Sequence, residues 1–350
     1  MTYGTVSVDT MTTSTGQIIG ASSSATMKNR IINGAMVIDQ RNAGASLSVT
    51  TATPYTLDRW QALSVPSSIF SVQQNAGAIT PPTGFTNYLG VTSSSAYSVG
   101  ATDRTAIRQI IEGYNIADLG WGTANAKAIT LSFWVRSSLT GTFGGTLVNG
   151  GGTRSYPFTY TISSANTWTQ ISITVAGDTT GTWATDNSGG LNLTFGLGVG
   201  STYSGTAGAW AGALYYSATG ATSVVGTNGA TFYITGVQLE AGSTATSFDY
   251  RPYGTELALC QRYFETINMV GNGYYNGTNG CPTLIPQNTR KRAQPTVTRT
   301  NDNWDSWNVN MANYNETSDA AGGISVWCNV TGSATGFVRW STTLLISAEL

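Results

Sequence analysis

Leu191, Leu193, Phe195, Leu197 and Val199 alternate with small or polar residues through LNLTFGLGVG. Period two over that length gathers the apolar side chains on one face of an extended strand, whereas a helix would scatter them around its axis. The pattern recurs with Ile129, Leu131, Phe133 and Val135 in AITLSFWVRSS, and with Ile171, Ile173 and Val175 in QISITVAGD. Gly-rich punctuation, such as the run from Gly141 to Gly152, separates these segments. A chain with 42 Gly in 350 residues and abundant Thr and Ser disfavours helices. It suits short, half-buried strands joined by tight turns. Many such strands with few helical patterns predict an all-β fold, a β-sandwich of the jelly-roll kind.

Residues 1–28 are small and polar, with one short alternating run, Thr5-Val6-Ser7-Val8. They hold too few apolar residues to fold alone and are expected to form a short extended N-terminal arm for attachment. The jelly roll is expected over 29–255. In GTELALCQRYFETI, Leu257, Cys260 and Phe264 fall at helical spacing, which predicts a short helix or turn closing the first domain. Residues 256–350 then return to strands and turns, among them Asn272-Gly273, Asn276-Gly277 and Asn279-Gly280. A smaller C-terminal β domain, a distal tip, is expected there.

The charge pattern and the missing residue types exclude whole classes of function. Net charge is −1 and the pI about 5.4, so the chain lacks the basic face that a nucleic-acid binder needs. The densest basic stretch, Arg290-Lys291-Arg292, reads as a solvated strand end. No apolar run has membrane-spanning length, and residues 1–28 lack the basic start and apolar core of a secretion signal. Cys260, Cys281 and Cys328 cannot all pair within one chain and show no CxxC spacing, so free thiols are expected. With no histidine, Ser-His-Asp and Cys-His catalysis and His-dependent metal centres are ruled out. No phosphate-binding GxxxxGK[ST] loop is present. A glycosidase needs only two carboxylates, and 17 acids are available. Asp302 and Asp305 are near neighbours but read as solvated loop acids, and a non-enzymatic chain is expected.

Sugar binding asks for aromatic rings to stack on a pyranose face and for amides, acids or guanidinium groups to meet its hydroxyls. Two regions carry that mix. One holds Trp304, Asp305, Trp307, Asn308 and Tyr314; the other runs from Trp183 through Tyr203 and Trp210 to Tyr215 and Tyr216. The alternative for both is aromatic packing in a core or between subunits. Asp58-Arg59-Trp60 reads as a buried ion pair beside a core tryptophan. Arg108 and Glu112 fall on one strand and are assigned to cross-strand or inter-subunit pairs. Trp134 falls on the face opposite Leu131 and Phe133 only if its strand is regular. It is assigned to burial against another layer or subunit rather than to a ligand platform.

Four stretches in combination resemble a family of bacteriophage virion proteins, the tail fibres and minor structural proteins. They are NRIINGAMVIDQRNAG with YTLDRW (29–44, 55–60), IEGYNIADLGWGTANAKAITLSFWVRSS (111–138), the strands of 155–183 with 230–265, and the closing SAEL (347–350). The resemblance covers most of 29–265 and weakens over 266–349. The central part also resembles jelly-roll carbohydrate-binding modules, through LSFWVRSS, WTQISITVAGD and FYITGVQLE. The resemblance implies a virion location, a homotrimer, and attachment to other virion proteins through residues 1–28. It further implies adsorption to host cell-surface polysaccharide without cleavage. A capsid decoration or fibre-body protein and a glycan depolymerase are the alternatives. Modules of this fold often hold a structural calcium, for which Asp39 and Glu240 are the candidate ligands; no other cofactor is implied.

Overall fold

The computed structural model describes the backbone of residues 11–12, 18–19, 27–50, 53–275, 282–307, 310–318, 323–331 and 336–350. Side chains are described for 27–50, 53–271, 287–301, 339 and 341–350. A short antiparallel pair, β1 (Met11–Thr12) with β2 (Ile18–Ile19), precedes the main body. That body is built from β3 (Leu47–Ser48), β4 (Trp60–Val65), β5 (Phe70–Gln74), β6 (Leu89–Ser93), β7 (Arg104–Glu112) and β8 (Ile129–Ser137). It continues with β9 (Gly141–Asn149), β10 (Ser155–Ile162), β11 (Thr169–Val175) and β12 (Gly189–Val199). A two-residue parallel pair, β13 (Ser204–Gly205) with β14 (Ser217–Ala218), leads to β15 (Thr231–Ala241). The strands form two sheets, ordered β10-β9-β12-β7-β4 and β11-β8-β15-β6-β5-β3. This is the expected β-sandwich of jelly-roll type.

The alternation read in the sequence becomes the core. Leu191, Leu193, Phe195 and Leu197 of β12 face Ile129, Leu131, Phe133 and Val135 of β8, and all are buried. Phe133 crosses the gap to meet the rings of Phe195 at 5.0 Å and Tyr160 at 5.1 Å, both edge-on. Edge-to-face contact suits the ring quadrupoles, and each such ring takes roughly 150–250 Å² out of water. Trp134, pointing the other way, is half-buried opposite Thr235 and Gln170.

After β15 the chain forms α1 (Tyr253–Gln261), which carries Leu257 and Cys260. Phe264, placed on the same helical pattern by its spacing, instead opens β16 (Phe264–Tyr275). Next come β17 (Pro282–Pro286), β18 (Thr296–Trp307), β19 (Asn310–Ser318), β20 (Gly323–Thr331) and β21 (Gly336–Ser347). They make two three-stranded antiparallel sheets, β16-β21-β18 and β17-β20-β19.

A collar of buried polar groups joins these parts. Asn33, at φ 58°, donates its backbone N–H to Glu256 Oε1 at 2.5 Å and its amide to the carbonyls of Ile38 and Asp58. The Trp60 indole donates to the Asn33 carbonyl. Gly34 is required beside it, because a Cβ there would lie 2.2 Å from the Val237 carbonyl oxygen. Asp58, Arg59 and Trp60 are all buried, as the sequence predicts. Arg59, however, does not pair with Asp58. Its guanidinium binds Glu349, stacks 3.6 Å from the Tyr263 ring centroid, and donates to the Ile110 carbonyl. Asp58 instead accepts two hydrogen bonds from Gln40, both at 2.7 Å. Glu112 accepts from Arg262 at 2.6 and 3.0 Å and from the Tyr263 hydroxyl at 2.7 Å.

The basic stretch is solvated only at Arg290, which is exposed. Lys291 and Glu265 form a 2.7 Å pair with both side chains fully buried, and Arg292 donates to the carbonyls of Ala348, Glu349 and Asn187. Charge–charge and charge–carbonyl pairing across the junction outweighs the tendency of these residues to stay in water. Cys260, packed in the same region, is a free buried thiol whose pKa burial raises, so it is poorly reactive.

Burial pushes the Asp58 pKa up from 3.8 to about 6, against the opposing pull of Arg41 and the Gln40 hydrogen bonds. The folded state therefore holds this proton more tightly than the unfolded chain. Asp58 contributes most below the unfolded value and loses that contribution as pH rises through the folded value. Relative to Asp58→Asn, which carries no such charge, the wild type should lose about 3 kcal/mol of stability between about pH 3 and pH 7. Urea unfolding of both proteins across that range checks this. A pH-independent difference contradicts it.

Candidate functional site

The outward face of the five-stranded sheet is built from alternate residues of three neighbouring strands. Arg104, Ala106, Arg108 and Ile110 lie on β7, Asn192, Thr194, Gly196 and Gly198 on β12, and Gly144, Thr146 and Val148 on β9. The glycines at one end admit the segment 200–225. A Cβ on Gly144 would meet the Ser217 hydroxyl at 2.5 Å, one on Gly196 would meet it at 2.7 Å, and one on Gly198 would meet Val225 at 2.4 Å. Side chains at these positions would lift the segment off the sheet. At the other end Arg108, Asn192 and Thr194 lie beyond this cover, and a cleft opens over them.

The cleft has two lobes that share Arg108, Gly150, Gly151 and Asn192. The larger lobe, about 710 Å³, is flanked by Thr153, Thr182 and Ser188 and reaches Leu350. The smaller, about 220 Å³, lies against Thr194, Leu214 and Tyr216. The Gly150–Gly152 turn is fixed by Asn149. Its amide donates to the Thr153 hydroxyl and the Thr182 carbonyl, and its oxygen accepts the Thr153 and Arg154 backbone N–H groups. Tyr216 is held by Tyr203, 5.6 Å away and edge-on, and the Arg104 guanidinium stands over both rings at 4.8 and 5.7 Å.

Three polar groups of the cleft are incompletely used by the protein. Arg108 donates from Nε to Gln61 Oε1 at 2.6 Å and enters no ion pair among the described residues. Burial lowers its pKa, while Tyr216 and Tyr55 pull the other way; an arginine stays charged regardless. Asn192 Oδ1 and Thr194 Oγ1 are buried and have no hydrogen-bond partner among the described residues. Neither Asp nor Glu lines either lobe.

The sugar-binding candidates singled out in the sequence fall elsewhere, with two exceptions. Trp183 and Trp210 interlock edge-on with Trp121, at centroid separations of 4.7, 5.3 and 5.5 Å. The three indole N–H groups are spent on the carbonyls of Lys127, Thr180 and Ala176. Trp183 is buried, so it is a packing residue and not an open platform, and Trp210 closes the cluster against Tyr156. Tyr216, which lines the smaller lobe, and Tyr203, which supports it, are the exceptions. Trp304, Asp305 and Asp302 lie on β18, Trp307 ends it, and Tyr314 lies on β19; their side chains, and all of Asn308, fall outside the described residues. Each of these strands is an edge strand of its sheet.

The candidate calcium ligands do not share a site. Asp39 accepts the backbone N–H groups of Asn42 and Gly44, while Glu240 accepts from Gln238 and Thr246. No cluster of three His, Cys, Asp or Glu residues suited to a metal ion occurs among the described residues. Arg108 and Glu112 make separate pairs, Arg108 across strands to Gln61 and Glu112 to Arg262. Asn192 and Thr194 were not identified from sequence. Their available signal was the run of outward glycines beside them, Gly196 and Gly198, which marks a sheet face that another segment approaches.

No protein-family model matches the chain, and no curated protein matches it. Among solved structures it is similar to the enzymatically active domain of tailspike protein 4 of bacteriophage CBA120, with 11% identity and a TM-score of 0.34. That match covers 61% of this chain and 22% of the other, so the chain spans about a fifth of that protein's length. It is also similar to TmCBM61, solved in complex with β-1,4-galactotriose, with 9% identity, coverage of 61% and 99%, and a TM-score of 0.32. A third similarity is to the CBM22-1 xylan-binding domain of Paenibacillus barcinonensis Xyn10C, with 12% identity, coverage of 59% and 99%, and a TM-score of 0.28.

The tryptophan cluster has a direct test. Trp183→Ala should cost about 3–5 kcal/mol of stability, the scale of emptying a buried aromatic site. Equilibrium unfolding in urea measures it. A loss below about 1 kcal/mol, the range of an exposed substitution, would contradict the packing role.

Proposed function

We propose that this chain is a non-catalytic glycan-binding protein of a bacteriophage virion, and that it holds its glycan in the cleft on the five-stranded sheet. The observation that carries this reading is the pair of buried polar atoms on the cleft floor, Asn192 Oδ1 and Thr194 Oγ1, which have no hydrogen-bond partner among the described residues. Buried polar groups in folded proteins are nearly always hydrogen-bonded, so a site that leaves two of them open is matched to a ligand rich in hydroxyls. Tyr216, braced by Tyr203 and Arg104, supplies a ring for a pyranose face. A lobe of about 710 Å³ has room for a short oligosaccharide. Cleavage by the usual route would need two carboxylates flanking the scissile bond, and the lining residues supply no acidic side chain.

The virion setting rests on the resemblance of residues 29–265 to phage tail fibres. In that setting residues 1–28 mount the chain on other virion proteins, the chain is a homotrimer, and weak individual sites gain avidity by repetition. A capsid decoration or fibre-body protein is the reading that remains if the cleft binds nothing.

An array of bacterial surface polysaccharides tests the binding. The wild type should bind at least one, and Tyr216→Ala and Asn192→Ala should each weaken binding by about 1–3 kcal/mol with unchanged melting. Binding that both variants retain in full contradicts the cleft. Release of reducing sugar from a bound polysaccharide contradicts the non-catalytic reading. Light scattering at micromolar concentration should give a trimer mass; a monomer or dimer contradicts that assignment.

A further inference from the structure

The charge of the cleft narrows the class of glycan. Among the described residues, Arg108 is the only charged side chain lining either lobe. The described residues form seven ion pairs, taking up Arg30, Arg41, Arg59, Arg154, Arg251, Arg262 and Lys291, and Arg108 is in none of them. Among the described residues its one hydrogen bond runs from Nε to the neutral Gln61 amide, which fixes the direction of the side chain and leaves both Nη groups uncommitted there. Four residues earlier on the same face of β7, Arg104 adds a second positive charge over the two tyrosine rings and enters no ion pair among the described residues.

A neutral sugar needs no such charge, because its hydroxyls are served as well by Asn, Gln and Thr. The planar fork of an arginine fits an oxyanion through two parallel hydrogen bonds, and those bonds strengthen where water is excluded. Building on the glycan-binding reading of the cleft, we infer that its ligand is an acidic glycan. The oxyanion of one sugar residue pairs with Arg108, while neighbouring hydroxyls satisfy Asn192 and Thr194. A uronate carboxylate and a phosphodiester link present the same monoanionic chemistry to the guanidinium.

The test uses the full chain and matched probes in calorimetry. One arm takes uronate-containing bacterial oligosaccharides, each beside its carboxyl-reduced counterpart. A second arm takes phosphodiester-linked oligosaccharides beside their dephosphorylated repeats. In one arm the charged member should bind at least about tenfold more tightly than its neutral partner, a difference of one well-formed charge-assisted pair. Which arm responds identifies the oxyanion. Arg108→Gln should abolish that preference, and Arg108→Lys should restore only part of it, because the bidentate fork is lost; melting curves of both variants confirm folding. Equal or tighter binding of the neutral partners, unchanged in Arg108→Gln, overturns the acidic ligand and leaves the glycan-binding reading standing. Binding of neither member in either arm overturns both.

Discussion

The Arg59 side chain is 1% exposed, and its charge must be met inside the protein. Burial works against that charge, and Glu349, Tyr263 and Tyr55 outweigh it. Glu349 lies 290 residues away in the chain and also pairs with Arg41, so two guanidinium groups converge on one carboxylate. Removing one partner of such a group leaves an uncompensated buried charge, typically at a cost of about 3–5 kcal/mol. The segment following β21 is thus obliged to return to the sandwich. Tyr263, whose ring lies against Arg59, passes the constraint on by donating its hydroxyl to Glu112 at the end of β7.

That collar draws together stretches that lie far apart along the chain. NRIINGAMVIDQRNAG supplies Asn33, Gln40 and Arg41; YTLDRW supplies Asp58, Arg59 and Trp60; RPYGTELALCQRYFE supplies Arg251, Glu256, Arg262 and Tyr263; SAEL supplies Glu349. Each binds residues of another: Asn33 with Glu256, Arg251 with the Ile31 carbonyl, Arg59 with Glu349. The same strand serves two ends. β7 closes into the collar through Glu112 and presents Arg108 to the cleft four residues earlier. A collar that fixes the register of β7 therefore also fixes the direction of the cleft's one charged group.

The sandwich was legible because burial on one face of a strand writes itself as period two, as in Phe195 and its neighbours. The short helix was legible from Leu257 and Cys260. Partners in space were not. Arg59 sits beside Asp58 in sequence, yet the acid that neutralises it lies near the end of the chain. Lys291 sits in a basic run that reads as solvated, yet it is enclosed with Glu265. The cleft was illegible for a related reason. Its floor is drawn from β7, β9 and β12, strands adjacent only through sheet order, and its aromatic wall comes from a loop that crosses them. Trp183 and Trp210 stand among polar loop residues, which suggested a ligand platform. Packing against Trp121 satisfies them instead.

Glycan binding in this cleft makes one structural demand that nothing else in the fold shares. A crystal structure of the chain with a bound oligosaccharide, chosen by its affinity in solution, tests it directly. The account requires a sugar ring against Tyr216, with hydroxyls within hydrogen-bond distance of Asn192 Oδ1 and Thr194 Oγ1. A sugar seated on the 300–316 segment of β18 and β19, with no density in the cleft, would contradict it.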